Sequence, residues 1–281
     1  FENKNLDFLL KSKLVNFAQL FSKGRTFFLI RKKKKNYIKT LSIEEEQNAS
    51  AIKELCNNGY SKILQLDSEK ILKTIEYFKN NPIYSSHVPL LERSNKISFQ
   101  EFSQDENLNY GSYDINTSLK SETIKELVFS KDLLNIAKKY LLVDNYKVYS
   151  INTMISKKAK ILNQVNEFHR DYDSANSLTF FLYLTDVDEN NGATQIIKGS
   201  HADDNKGTEN NEDVVFLTGK AGTVYAVDTW ALHAANKKLK NTRLVSWIRI
   251  SSMTARSYYT DKNYRFAKDL DYINSKISSL S

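Results

Sequence analysis

The second half of the chain alternates short strand-like runs with turns, and this pattern restricts the fold more than any other feature. The runs are rich in β-branched and aromatic residues, which favour strands. They cover residues 146–157, 177–187, 193–198, 213–218, 222–228 and 243–251. Several short antiparallel strands at this spacing predict a jelly roll or barrel, in which two sheets enclose a common core.

The first half of the chain predicts helices instead. Apolar residues recur at helical spacing in residues 6–22, 43–58, 67–79, 121–129 and 131–142. A short strand is expected at 60–66, and the polar segment 83–120 is irregular apart from a strand at 97–102. A last helix is expected near 264–279.

These patterns predict an α+β, mainly β protein with a helical N-terminal half. We expect residues 1–42 to form a basic N-terminal helix and arm, and residues 43–281 to form one domain. That domain divides into helical support at 43–144, a jelly-roll core at 145–252 and the C-terminal helix at 264–279.

Positive charge is concentrated at the N-terminus. Residues 1–40 carry 11 basic and two acidic residues, whereas the other 241 residues carry 30 basic and 31 acidic ones. One interpretation is peripheral contact with an anionic membrane through residues 25–35, and the other is a solvated arm. The balanced remainder predicts no nucleic-acid partner, because such binding needs a basic surplus on the domain.

Composition restricts the location and the type of site. Cys56 is the one cysteine, so a disulfide framework or a cysteine-based zinc site is excluded. The sequence contains no run of 18 or more apolar residues, so it predicts no membrane-spanning helix. We therefore expect a reducing, cytoplasmic location, with the membrane-peripheral contact as its variant.

Two histidines and an aspartate form a candidate metal site. His169 and Asp171 are separated by one residue after a polar loop, so in extended backbone both side chains project to the same side. His233 follows the strand-like run 222–228. Two histidines and one carboxylate cover one face of an octahedral ferrous ion and leave three positions open.

An arginine follows the distal histidine at the start of the last strand. Arg243 lies ten residues after His233, and an inward guanidinium there could bind a dicarboxylate with two hydrogen bonds. Arg249 lies on the same face of the strand by alternation and is the alternative candidate.

Residues from about 145 to 252 resemble the phytanoyl-CoA dioxygenase-like family of iron(II)/2-oxoglutarate-dependent oxygenases. The resemblance rests on Phe168-His169-Arg170-Asp171, on the Asn191-Gly192 to Gly199-Ser200-His201 stretch, and on His233 followed by Arg243. These motifs in this order and at these spacings are far more specific than any one of them.

The resemblance implies a double-stranded β-helix and a set of residue roles. It implies that His169, Asp171 and His233 bind iron(II), that Arg243 binds the distal carboxylate of 2-oxoglutarate, and that His201 is structural. The hydroxyl of Thr179 would assist Arg243. Asn152, or less strongly Ser156, would contact the other end of the cosubstrate. Residues near the site that could meet the substrate are Phe168, Arg170, Tyr172 and Trp230.

The activity that the resemblance implies is an oxidation with 2-oxoglutarate and dioxygen. We expect hydroxylation of a small molecule at an unactivated C–H bond, with release of succinate and carbon dioxide. The basic arm mildly favours an anionic substrate, and the oligomeric state is open. Desaturation or oxidative ring closure with the same triad is also open. Two alternatives of other classes remain: a non-catalytic jelly-roll protein, and a cupin-like metal-binding protein that uses no 2-oxoglutarate.

Overall fold

The computed structural model describes residues 48–85, 95–158, 167–171, 174, 176–202, 211–236, 238–252 and 267–279. The helix predicted at 6–22, the basic segment 25–35 and Tyr172 lie outside these ranges. The helices are α1 (Ala49–Asn58), α2 (Ser68–Lys79), α3 (Phe99–Gln104), α4 (Ile115–Lys120), α5 (Glu122–Val128), α6 (Lys131–Leu141) and α7 (Ala267–Ser278). The strands are β1 (Tyr60–Gln65), β2 (Ile83–Tyr84), β3 (Lys96–Ile97), β4 (Tyr110–Tyr113), β5 (Lys147–Ser156), β6 (Ser177–Tyr183), β7 (Thr194–Ile197), β8 (Val214–Leu217), β9 (Thr223–Val227), β10 (His233–Ala235) and β11 (Arg243–Ser251).

The strands form two antiparallel sheets. The large sheet has eight strands in the order β1-β9-β6-β11-β5-β4-β2-β3, and the small sheet has three in the order β10-β7-β8. Strand β11 lies between β5 and β6. Trp247 of β11 lies opposite Asn152 of β5 and Phe181 of β6. This is the double-stranded β-helix that the sequence predicts.

Each face of the large sheet packs against a different core, because side chains alternate along a strand. Phe180, Leu182 and Ile248 belong to the cluster that the helices cover. Tyr183, Val227 and Val245 belong to a second cluster, which also includes Ile196 and Leu217 of the small sheet. The second cluster therefore fills the space between the sheets, and the site lies on that face.

Local signals place most of the helix ends. The carboxylate of Asp67 accepts hydrogen bonds from the backbone N–H groups of Glu69 and Lys70, at 2.9 and 3.2 Å, and so caps α2. Gly59 ends α1 with φ of 87°, a left-handed conformation that glycine adopts without strain. Both ends lie where the sequence predicts them.

The strand predicted at 97–102 is wrong beyond its first residue. Strand β3 ends at Ile97, and α3 begins at Phe99. Ser98 and Glu101 form a capping box, in which each side chain bonds the other residue's backbone N–H group. The polar segment around them also contains β4 and α4, which the sequence did not predict.

Within the described ranges, none of the helices has the length and apolar character that crossing a bilayer requires.

Candidate metal centre

The two histidines of the predicted triad are joined through their backbones. His169 and His233 form an isolated antiparallel bridge: each N–H group donates to the other residue's carbonyl, at 2.9 and 3.0 Å. The two ring centroids lie 4.5 Å apart. The N–H group of Asp171 donates to the carbonyl of Thr229 at 2.9 Å, so the carboxylate segment is fastened to the same stretch of chain.

Backbone carbonyls also set which ring nitrogen each histidine presents. Nδ1 of His169 lies 2.8 Å from the carbonyl oxygen of Glu167, and Nδ1 of His233 lies 2.9 Å from that of Ala231. A carbonyl can only accept, so it favours the tautomer with the proton on Nδ1. Nε2 of each ring is thereby left with a lone pair, which is the form that ligates a metal.

The ligand atoms of His169, Asp171 and His233 all lie within 4.8 Å of one another. The Asp171 carboxylate lies 3.8 Å from Nε2 of His169 through Oδ1, and 3.9 Å from Nε2 of His233 through Oδ2. The structure therefore brings the three predicted ligands together. The donor set fits a divalent metal of the iron(II) type, with two imidazoles and one carboxylate.

Electrostatics prepare these groups for a metal. Burial alone would raise the pKa of Asp171, but Arg249 and the two histidines outweigh it and hold that pKa below its ordinary value. Burial lowers the pKa of His233, which keeps the imidazole neutral to lower pH. A charged carboxylate and a neutral imidazole are the protonation states that metal ligands need.

The guanidinium of Arg170 is bound to backbone carbonyls. Its Nη1 donates to the carbonyl oxygens of Ser200 and Trp230, at 2.7 and 2.6 Å. This guanidinium therefore connects the segment that carries His169 and Asp171 to two other loops of the site. The geometry favours a structural role for Arg170 over contact with a substrate.

Arg243 faces the interior between the sheets. It lies on the same face of β11 as Val245, and its guanidinium carbon is 5.9 Å from the centroid of the Tyr183 ring. Burial lowers its pKa, although Tyr183 and Tyr110 partly offset this. Its Nε is buried without a hydrogen-bond partner, and no carboxylate pairs with it among the residues that the structure describes.

Arg249, the alternative to Arg243, has a different partner. Its Nη2 donates to Oδ2 of Asp171 at 2.8 Å, and the side chains of Arg249 and Asp171 are 20% and 17% exposed. The sequence placed both arginines on the same face but did not predict this ion pair. Arg243 therefore remains the candidate for an external carboxylate.

The predicted partnership between Thr179 and Arg243 is not formed. Thr179 lies directly opposite Arg249, six positions along β11 from Arg243, which corresponds to about 20 Å of strand. The residues beside Arg243 are instead Tyr183 and, directly opposite on β5, Ser156. Thr179 nevertheless faces the interior, and its hydroxyl is buried with no hydrogen-bond partner in the part of the chain that the structure describes.

Asn152 also faces the interior. It lies directly opposite Trp247, and its Oδ1 atom is buried with no hydrogen-bond partner among the described residues. Orphaned buried polar atoms are rare in folded proteins and need an explanation, of which a bound ligand is one. Those of Asn152, Thr179 and Arg243 lie on interior-facing side chains of the same sheet.

The stretch from Gly192 to His201 contains two glycine turns and a buried histidine. Gly192 and Gly199 both have positive φ, 75° and 77°, as expected of turn residues. His201 is buried, with Nε2 3.1 Å from the carbonyl oxygen of Cys56, and it is not part of the metal-ligand group. Its predicted structural role is therefore supported by this contact.

The remaining substrate candidates are less defined. Phe168 and Trp230 are both half-buried beside ligand-bearing segments, and Tyr172 lies outside the described residues. Sequence analysis assigned no role to Asp228, which accepts hydrogen bonds from the Tyr140 hydroxyl and the Trp230 N–H group, and it did not predict the contact of Tyr183 with Arg243. An aspartate directly after a buried strand was the available signal for Asp228.

Comparison with known proteins agrees with this geometry. The family model described as phytanoyl-CoA dioxygenase (PhyH) matches residues 45–240. No curated protein matches the sequence significantly.

Solved structures share the fold at low identity. EctD from S. alaskensis, with 2-oxoglutarate and 5-hydroxyectoine, has a TM-score of 0.55 and 14% identity over 76% of this chain and 79% of its own. The non-haem α-ketoglutarate-dependent epimerase SnoN from nogalamycin biosynthesis has a TM-score of 0.53 and 15% identity, over 79% and 88%. HygX from Streptomyces hygroscopicus, with nickel and 2-oxoglutarate bound, has a TM-score of 0.52 and 11% identity, over 73% and 87%. At these identities the likeness shows the fold alone.

Proposed function

The chain belongs to the phytanoyl-CoA dioxygenase family of non-haem iron, 2-oxoglutarate-dependent enzymes, and from this premise we propose that it hydroxylates a small molecule at an unactivated C–H bond. Succinate and carbon dioxide would be the co-products. Asp171 supports hydroxylation over halogenation, because related halogenases lack this carboxylate so that chloride can bind. The neighbours named for nogalamycin biosynthesis and for 5-hydroxyectoine support a small-molecule substrate.

The observation that carries the proposal is the locked triad. His169, Asp171 and His233 would hold iron(II), and the two Nδ1–carbonyl contacts already present both Nε2 atoms in the ligating form. When bound, iron(II) together with 2-oxoglutarate and dioxygen supplies the oxidant for the C–H bond. The protein's own part is to fix the ligands and to exclude water.

Arg243 supports the choice of cosubstrate. A desolvated guanidinium without a carboxylate partner is costly, and an anionic ligand would satisfy it. The distal carboxylate of 2-oxoglutarate suits this position because it can accept two parallel hydrogen bonds. Tyr183 packs beside the guanidinium and would help to orient it.

Asn152 and Thr179 are proposed to complete the pocket. Both offer buried polar atoms that no group in the described ranges satisfies, and both lie on interior positions of strands next to β11. Asn152 would hydrogen-bond the end of 2-oxoglutarate that lies nearer the triad. Thr179 stands at the level of Arg249 and would face the substrate side rather than Arg243.

An anaerobic titration tests the proposal. Iron(II) and then 2-oxoglutarate are added to apoprotein, and the weak visible charge-transfer band is followed. We expect the band in wild type, its loss in His169→Ala, and a much higher 2-oxoglutarate requirement in Arg243→Ala. Bound iron without a band would contradict the cosubstrate, and no iron binding would contradict the enzyme itself.

The basic segment 25–35 is proposed to bring the enzyme to an anionic membrane or an anionic substrate. Its support is the charge asymmetry of the sequence, since the segment lies outside the described residues. Turnover of the true substrate that is unchanged after deletion of residues 1–40 would contradict a role in catalysis.

A further inference from the structure

One oxygen of the candidate metal ligand Asp171 is already held by a protein cation. Oδ2 accepts a hydrogen bond from Nη2 of Arg249 at 2.8 Å. Oδ1 lies 3.8 Å from Nε2 of His169, and Oδ2 lies 3.9 Å from Nε2 of His233, so among the described residues only Oδ2 also carries the bond to a cation. The two oxygens of this carboxylate are therefore not equivalent.

The cation is held by a central strand. Strand β11 is hydrogen-bonded to β5 on one side and to β6 on the other, and Arg249 lies opposite Ser150 and Thr179. The side chains of Arg249 and Asp171 are largely buried. A short, largely desolvated pair on a strand with two neighbours has little freedom to move.

We propose that Arg249 is a positioning residue that reserves Oδ2 and keeps Asp171 a one-oxygen ligand through Oδ1. A carboxylate oxygen that accepts a hydrogen bond from a cation is a weaker metal ligand than the other oxygen of the same carboxylate. A carboxylate that ligated through both oxygens would take one of the three positions that a two-histidine, one-carboxylate site leaves open. Arg249 would thus protect the positions that 2-oxoglutarate and dioxygen need, and this inference rests on the proposed function.

A simpler role would be charge neutralisation, and the two roles predict different results. If Arg249 only balanced Asp171, its removal would eliminate a repulsive charge near the divalent ion. Metal binding would then tighten with no change in coordination. If Arg249 reserves Oδ2, its removal changes the coordination and weakens 2-oxoglutarate binding even though Arg243 is intact.

Cobalt(II) reports coordination directly, so the test uses full-length, metal-free protein titrated anaerobically with cobalt(II) and then 2-oxoglutarate. Visible absorption follows coordination number, and calorimetry gives both Kd values. The variants are Arg249→Gln and Arg249→Lys. Lys147→Gln, an exposed position near the end of the same strand pair, is the control for one lost positive charge.

For Arg249→Gln we expect a spectrum of higher coordination number, a cobalt Kd no weaker than wild type, and a 2-oxoglutarate Kd raised at least tenfold. The lysine variant keeps one donor and should be intermediate, and it decides the matter if the glutamine variant does not fold. A wild-type spectrum with a 2-oxoglutarate Kd within twofold of wild type would overturn the inference alone. Wild-type protein that binds cobalt but no 2-oxoglutarate would overturn the proposed function, and the inference with it.

Discussion

The two interior arginines of β11 should change stability in opposite directions when each is replaced by methionine in metal-free protein. Arg249 pairs with Asp171 at 2.8 Å, whereas Arg243 has no carboxylate partner among the described residues. Methionine keeps a similar side-chain length and removes the charge. The two positions share a strand and a face, so strand propensity is matched between them.

The expected magnitudes follow from what each change leaves behind. Arg249→Met leaves the Asp171 carboxylate buried without its cation, which costs roughly 3 kcal/mol of unfolding free energy, near the low end for buried pairs because both side chains keep some exposure. Arg243→Met removes a desolvated cation at the cost of one cation–π contact with Tyr183, which is worth about 1 kcal/mol. We therefore expect Arg243→Met to be more stable than wild type by roughly 1–3 kcal/mol.

Arg243→Met should also weaken binding of the cosubstrate. Truncating one partner of a buried, hydrogen-bonded charge pair costs about 2–5 kcal/mol, which corresponds to roughly thirtyfold to several thousandfold in Kd. Arg243 would then be a residue that sacrifices stability for binding, a pattern common in active sites.

Urea unfolding of chelator-treated protein measures the stability change, and the same experiment with metal and 2-oxoglutarate measures the binding. The double variant Asp171→Asn, Arg249→Met is the control, because removing both charges should recover most of the loss. A loss of more than about 1 kcal/mol in Arg243→Met would refute the assignment of Arg243 as a desolvated cation without a counter-ion.

Three further predictions concern pH, the glycine turn and the basic arm. Because the folded-state pKa of His233 is depressed below 6.5, metal-free protein should lose stability as pH falls below 6.5 towards that folded pKa, and urea unfolding of His233→Gln should show a shallower slope there. Gly192→Ala should raise the 2-oxoglutarate Kd in calorimetry, since a Cβ there would lie 2.7 Å from Cδ of Arg243 in a backbone with φ of 75°; an unchanged Kd would show that the loop can yield. Deleting residues 1–40 should reduce sedimentation with vesicles rich in anionic lipid and leave neutral vesicles unaffected, whereas equal binding of both proteins would leave the arm without a membrane role.

Strand alternation and capping made much of the fold predictable. The six strand-like runs of the second half all contain observed strands, because a sheet between two cores needs apolar residues on both faces. Asp67 and Gly59 fixed helix ends through local hydrogen bonds and backbone conformation. These signals act within a few residues, so a sequence displays them directly.

Segment 97–102 shows where an apolar pattern gives the wrong element. The apolar residues Ile97 and Phe99 alternate as in a strand, and Phe102 follows them. Ser98 and Glu101, however, bond each other's backbone N–H groups and so begin a helix. In so short a segment the capping interaction outweighed the apolar pattern. The pattern of a capping box was present in the sequence and would have given the right element.

The triad was predictable from sequence for a different reason. His169 and Asp171 are two residues apart on extended backbone, so their joint direction is fixed locally. Bringing in His233 required a contact between segments over 60 residues apart, which the backbone bridge to His169 provides. The spacing of the motifs encoded that contact only through resemblance, since no local rule pairs the two segments.

No local rule in the sequence separates Arg243 from Arg249, although the family resemblance favoured Arg243 for the cosubstrate. Both follow the alternation of β11, and both face the space between the sheets. Their surroundings differ. The segment that carries Asp171 is hydrogen-bonded to Thr229, and this places the carboxylate beside Arg249. Arg243 lies at the other end of the interior, beside Tyr183. Among the described residues, one guanidinium is therefore paired with a carboxylate, and the other is the one that we propose binds a ligand. This difference arises from tertiary packing rather than from residue type.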